Sequence, residues 1–189
     1  AVAPILSLFM DRGGGLWIGS DGSGLDRFRD GEWQHHGLAR GLKAGVIVAL
    51  NEDRQGNLWA GSSRNGLHIL RKGTWSQYTT ADGLAGDTVY SIVIDDKNDA
   101  WLGTNGGLSL LRDGKLANFR QWPGPLTGTI FQVLADDRGY LWFSSPSGIF
   151  RVKKSGLDRA GAGAGNEVHC RRFTEMSGLN STVCTGGSQ

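Results

Sequence analysis

Four histidines, two cysteines and a short acidic run are the residues of this chain that could hold a metal or carry a nucleophile, and their spacing argues against each role. His35, His36, His68 and His169 show no His-Glu-x-x-His or comparable ligand spacing, and His68 lies between Leu67 and Ile69 in a strand-like run. Asp95, Asp96 and Asp99 have the composition of a calcium loop but lack a bidentate glutamate at the expected position, so they read as a solvated turn. Gly161-Ala162-Gly163-Ala164-Gly165 has the glycine content of a phosphate loop without the lysine and following helix that such a loop uses. No Gly-x-Ser-x-Gly elbow is present. The sequence therefore nominates no catalytic residue, no cofactor and no metal ligand.

The elements that position everything else are announced by four tryptophans. Trp17, Trp59, Trp101 and Trp142 stand 42, 42 and 41 residues apart, each in the same frame of neighbours. Six residues before each is an aspartate (Asp11, Asp53, Asp95, Asp136), and three before it is Gly14, Gly56, Asn98 or Gly139. Two residues after it comes Gly19, Gly61, Gly103 or Ser144. A period near 42 with this much strand and turn signal predicts a β-propeller, one four-stranded antiparallel blade per repeat.

The second repeat shows why. VIVALNED, LWAGSS, GLHILR and TWSQYT are four short runs rich in β-branched and aromatic residues, separated by turn residues. The aspartate opening the turn before each Trp can accept backbone N–H bonds, and the residue closing it needs positive φ, which Gly supplies and Asn98 tolerates best among the others. These aspartates are expected to be structural. Asp30-Gly31, Lys72-Gly73 and Asp113-Gly114 read as hairpin turns between third and fourth strands.

The strand leading into the Asp turn is apolar on both faces, with Ile5, Ile47, Val89 and Ile130 in one column and Leu8, Leu50, Ile92 and Val133 in another. Such a strand must be covered on both sides, as a blade between two neighbours is. Ser7, Ala49, Ser91 and Gln132 lie between those columns, and their small or polar character is expected where innermost strands line a solvated channel. The Trp column then falls on the second strand, filling the gap between blades.

The repeats are expected at about residues 3–45, 46–87, 88–128 and 129–181, with a next blade beginning at 182–189, where Thr182-Val183 matches Thr88-Val89. The chain opens in a first strand and ends within another at Gly187-Ser188-Gln189, as a segment of a larger propeller of about seven blades would. Exposed apolar faces on the end blades would then favour association with further blades or self-association. Residues 156–166, GLDRAGAGAGN, account for the greater length of the fourth repeat and read as a flexible surface insertion. Cys170 and Cys184 fall on an outermost strand and on the innermost strand of the next blade, a separation that disfavours a disulfide.

A net charge of +2 with interspersed signs offers no electrostatic stripe for nucleic acid. No apolar run approaches the roughly 18 residues of a membrane span, so no membrane contact is expected of this segment.

The frame Asp-x-x-Gly-x-Leu-Trp-x-Gly-Ser/Thr, followed by Gly-Leu and a closing Asp82-Gly83-Leu84 or Arg40-Gly41-Leu42, resembles the two-component regulator propeller repeat across about residues 3–154. The tail CRRFTEMSGLNSTVCTGGSQ is similar to that family's last propeller segment. The resemblance implies a periplasmic sensor module of a membrane-anchored bacterial protein, homodimeric in the full-length sensor, whose output is a histidine kinase or a diguanylate cyclase. It implies a non-enzymatic segment that binds a small-molecule or saccharide ligand. The alternatives are a protein-interaction scaffold and a lyase-type enzyme propeller.

Strand direction divides the molecule into two faces. The Asp-x-x-Gly and Asp-Gly turns lie on one, short and repetitive. The loops between second and third strands and the links into each new blade lie on the other, and they vary: Ser63, Arg64 and Asn65 in one repeat, Thr104 and Asn105 in the next, with His36, Arg40, Asp87 and Arg120 in the links. Variable polar loops on a rigid scaffold are the usual place for recognition, which nominates Arg64 and Asn105 as ligand contacts.

Overall fold

Antiparallel neighbours joined by short turns stack in sequence order, and that is the arrangement found, even across the longer connection at residues 154–169. The computed structural model describes residues 3–119, 128–161, 168–181 and 184. The first sheet is β1 (Ile5–Met10), β2 (Leu16–Ser20), β3 (Leu25–Arg29) and β4 (Glu32–His36). The second is β5 (Ile47–Glu52), β6 (Leu58–Ser62), β7 (Leu67–Arg71) and β8 (Thr74–Tyr78). The third is β9 (Val89–Ile94), β10 (Ala100–Thr104), β11 (Gly107–Arg112) and β12 (Lys115–Asn118). The fourth is β13 (Gln132–Ala135), β14 (Tyr140–Ser145), β15 (Gly148–Lys153) and β16 (Cys170–Phe173). Strands β1, β5, β9 and β13 lie side by side, so the four sheets are successive blades of a β-propeller.

The turn stereochemistry follows the residue types. Gly14, Gly56, Asn98 and Gly139 have φ of 80°, 79°, 66° and 78°, so Asn98 occupies the same left-handed position as the glycines. Asn98 also makes contacts that glycine could not: its Oδ1 accepts the Arg54 N–H at 2.9 Å and its Nδ2 donates to Gln55 Oε1 at 2.9 Å, tying the turns of two blades together. Asp30-Gly31, Lys72-Gly73 and Asp113-Gly114 have positive φ at both positions, the backbone of a tight hairpin turn.

Each inter-blade gap holds a core built from the Trp of one blade and the first two strands of the next. Trp17 packs with Ile47, Leu50, Leu58 and Ala60; Trp59 with Val89, Ile92, Ala100 and Leu102; Trp101 with Ile130, Val133, Leu141 and Phe143. The small residue two places after Trp is explained by the same approach. A Cβ on Gly61 would lie 2.5 Å from the Val89 carbonyl oxygen and one on Gly103 would lie 2.9 Å from that of Ile130, so only glycine admits the neighbouring strand.

Several expectations are corrected. Ser7 and Ser91 are buried between blades and face no solvated channel: Ser7 Oγ donates to the Ile47 carbonyl at 3.2 Å, and Ser91 Oγ accepts the Val133 N–H at 3.0 Å. The apolar columns of the inner strand are buried in the second, third and fourth blades but not in the first, where Ile5 and Leu8 are each 61% exposed. The segment read as a flexible insertion begins as helix α1 (Lys154–Gly161), because Leu157 inserts into the third inter-blade core and Asp158 pairs with Arg112 at 2.5 Å. The links also hold single 3₁₀ turns, Leu38–Arg40 and Thr80–Asp82, closed by Gly41 and Gly83 in the left-handed region. Arg120, Trp122, the glycine-alanine run at 162–165, Thr182-Val183 and residues 185–189 lie outside the described residues.

Candidate functional site

The chemistry nearest the repeated Asp-Trp frame is a hydrogen-bond cage that recurs four times. The indole N–H of Trp17, Trp59, Trp101 and Trp142 donates to Oδ2 of Asp11, Asp53, Asp95 and Asp136 at 2.8, 3.0, 3.0 and 2.8 Å. The other oxygen of each carboxylate accepts the backbone N–H four residues on, from Gly15, Asn57, Asp99 and Tyr140. Both oxygens are thus consumed in holding the turn and the ring. The six-residue interval between Asp and Trp is the signal that could have revealed this bond, since an indole N–H removed from water requires an acceptor.

Burial raises the carboxyl pKa of Asp11, Asp53 and Asp95, and the hydrogen bonds outweigh it, leaving all three below the ordinary value. For Asp136 the Trp142 bond leads the lowering. The acidic run read as a solvated turn is not solvated at two of its three positions: Asp95 and Asp99 are buried, and they accept from Lys154 Nζ at 2.6 Å and Arg112 Nε at 2.8 Å. These carboxylates have cationic partners already and form no vacant ligand set.

A second column lies over the tryptophans. His36, Phe119 and Phe173 hold equivalent places at the end of the fourth strand and pack on Trp17, Trp101 and Trp142 at ring-centroid distances of 5.1, 6.1 and 4.9 Å. His36 is therefore an aromatic core residue, not the exposed link residue its sequence position suggested. Desolvation lowers its pKa to about 4, with Arg40 and Arg27 adding to the effect. His68, in β7, is sealed between blades with neither ring nitrogen bonded, and burial brings it to about 4 as well, with the Lys43 charge acting in the same direction.

The opposite face carries the two nominated residues. Arg64 and Asn105 occupy equivalent loops of adjacent blades and both are exposed. Thr88, in the link between those blades, connects them: the Arg64 N–H donates to Thr88 Oγ1 at 3.2 Å, and the Thr88 N–H donates to Asn105 Oδ1 at 3.0 Å. The Asn105 side chain thus braces the loop with its carbonyl. Arg64 holds a left-handed φ of 75°.

Two stretches, residues 41–64 and 83–106, match the family model described as two component regulator propeller. Each matched stretch runs from the glycine closing a 3₁₀ turn to the loop after a second strand, so it contains one Asp-Trp cage and one link. The chain is similar in structure to the extracellular domain assigned to a hybrid two-component system of B. thetaiotaomicron, with a TM-score of 0.75 at 21% identity over 95% of this chain and 24% of that one. It is also similar to the extracellular domain assigned to a one-component system of the same organism, with a TM-score of 0.67 at 20% identity over 89% of this chain and 24% of that one. A catalytically inactive virginiamycin B lyase from Staphylococcus aureus superposes with a TM-score of 0.70 at 16% identity over 93% of this chain and 57% of that one. At such identities the likeness carries the fold, and the chain spans about a quarter of the length of the two extracellular domains. No curated protein matches its sequence.

Proposed function

We propose that this chain is a non-enzymatic, ligand-sensing part of a propeller in a membrane-anchored bacterial signalling protein, displayed in the periplasm. The observation that carries this reading is the contrast between the two faces. On one, the Asp turns are stitched blade to blade by Arg12, Glu52, Arg54, Asn98 and Lys154, so its polar groups serve the scaffold. On the other, loops of changing composition ride on the same strands, and rigid scaffolds use such loops for recognition. The matched family and the extracellular domains of similar fold support a sensor setting, with remaining blades and a dimeric output module supplied by the rest of the protein. A small polar ligand such as a saccharide, bound on the variable face, would bias the signalling states by its differential affinity for them.

The likeness to a lyase favours a second reading, a propeller enzyme, but two of the described histidines are poorly placed for it. His36 is buried against Trp17 and His68 is sealed within a blade junction, where neither can exchange protons with a substrate. Titration of candidate oligosaccharides against the full sensor domain tests the sensing reading. Arg64→Ala and Asn105→Ala should each weaken binding several-fold, and Lys97→Ala on the turn face should leave it unchanged. Loss of affinity only with Lys97→Ala would place recognition on the wrong face and overturn the reading.

A further inference from the structure

The first and second blades are built on the same frame with a 42-residue offset, so any difference in how their loops meet the following link stands out. In the second blade that junction is filled. Thr80 donates through its backbone N–H and its hydroxyl to the two Asp87 oxygens at 2.7 and 2.9 Å, and Gln77 Nε2 donates to the Asn65 carbonyl at 2.9 Å. The backbone beneath is shared by both blades: the Gly66 N–H donates to the Asp87 carbonyl, and the Gly24 N–H donates to the Gly45 carbonyl.

In the first blade the residues at these positions are Leu38 for Thr80, Gly45 for Asp87 and His35 for Gln77. The side-chain lock is gone. In its place is a cleft of about 560 Å³ between the β2–β3 loop and the link, a volume within the range of small-molecule sites, roughly 300–1,000 Å³. Its floor is glycine backbone, Leu38 stands beside it 79% exposed, and Lys43 borders it with an exposed ammonium. His35 Nδ1 is held at 2.8 Å by Asp26 Oδ1, while Nε2 lies over Gly37, where an added Cβ would be only 2.9 Å away. With Nδ1 engaged by a carboxylate, Nε2 is left to meet a ligand group.

We infer that this cleft is a binding site for a small hydroxylated carboxylic acid. Lys43 is the one lysine or arginine among the described lining residues, and the Asp26 carboxylate is already turned to His35, so the cleft selects a single carboxylate. The His35 imidazole offers its second ring nitrogen to a ligand hydroxyl. The glycine floor admits a compact body, and the Leu38 side chain covers one flank of it. The inference deepens the sensing reading and rests on it for its biological meaning, but it concerns a different blade junction from Arg64 and Asn105.

The test is calorimetric titration of the 189-residue chain with sodium D-glucuronate, beside D-glucose, which has hydroxyls without the charge, and propionate, which has the charge without hydroxyls. Glucuronate should bind measurably tighter than either. Lys43→Ala should weaken glucuronate about tenfold, as expected for loss of a charge-assisted hydrogen bond. Leu38→Thr with Gly45→Asp recreates the second blade's lock, and a Cβ at Gly45 has ordinary contacts with Gly22, so this variant should fold and lose the binding. Absence of glucuronate binding to the unaltered chain, equal binding of glucose, or undiminished binding in the filled variant would each overturn the site. Failure here with oligosaccharide binding still dependent on Arg64 or Asn105 would leave the sensing reading standing.

Discussion

Lys154, at the start of α1 in the fourth blade, places its Nζ 2.6 Å from Oδ2 of Asp95 in the third, the same oxygen that receives the Trp101 indole N–H. One carboxylate thus closes its own turn, orients its own tryptophan and receives the next blade. Lys154 is largely buried, and its pKa is raised, because the Asp95 and Asp96 contacts outweigh desolvation.

Asp95→Ala is accordingly expected to be the most damaging of the four cage substitutions. It strands the Trp101 indole N–H and leaves the Lys154 ammonium with only the exposed Asp96 carboxylate, and about 3–5 kcal/mol, the usual scale for breaking a buried pair from one side, is the upper limit of the loss. Lys154→Met should cost less, since the carboxylate keeps its other partners. Urea denaturation of the two variants checks the order.

Acid should destabilise the fold in two stages. His36 and His68 have folded pKa values of about 4, below the ordinary 6.5, so the unfolded chain binds more protons between these limits. Their contribution is complete above pH 6.5 and is lost as pH falls toward 4, on the order of 2–3 kcal/mol each. The groups acting on His36 are Arg40, Arg27, His35 and Asp26, and on His68 it is Lys43. The cage aspartates, lowered from an ordinary 3.8, add a second loss at still lower pH. His36→Phe, which installs the residue type found at Phe119, should remove about half of the first stage and leave the His68 share, as thermal melts from pH 7 to pH 4 will show.

Gly61→Ala should destabilise by about 1–3 kcal/mol, because its Cβ would meet the Val89 carbonyl oxygen at 2.5 Å and the strand would have to shift. Ser144→Gly in the fourth blade should change stability far less. Melting temperatures of the pair test whether the glycine is kept for strand approach or for backbone freedom.

Both end blades expose apolar side chains: Ile5 and Leu8 on the first, and Leu134, 56% exposed, beside the half-buried Trp142 on the fourth. The isolated chain should therefore self-associate with rising concentration. Leu8→Lys combined with Leu134→Lys should shift sedimentation toward the monomer while leaving the far-ultraviolet circular dichroism intact. A monomer in the unaltered chain at all concentrations would contradict this.

The periodic Asp-Trp frame, the φ demanded of Gly14, Gly56, Asn98 and Gly139, and the alternation of each strand were enough to establish blade, repeat and face, because these depend on local stereochemistry that a residue type declares by itself. What packs against what across a blade junction was not legible in the same way. That Ser91 bonds the next blade and not solvent, that His36 takes the place of a phenylalanine over Trp17, and that Leu157 draws a glycine-rich stretch into a helix are all set by neighbours about 10 to 40 residues distant, whose approach only the folded chain defines. The cleft beside His35 belongs to this second class. Leu38, Gly37 and Gly45 are unremarkable as letters, and they enclose a space only because the repeat 42 residues on fills the same place with Thr80 and Asp87.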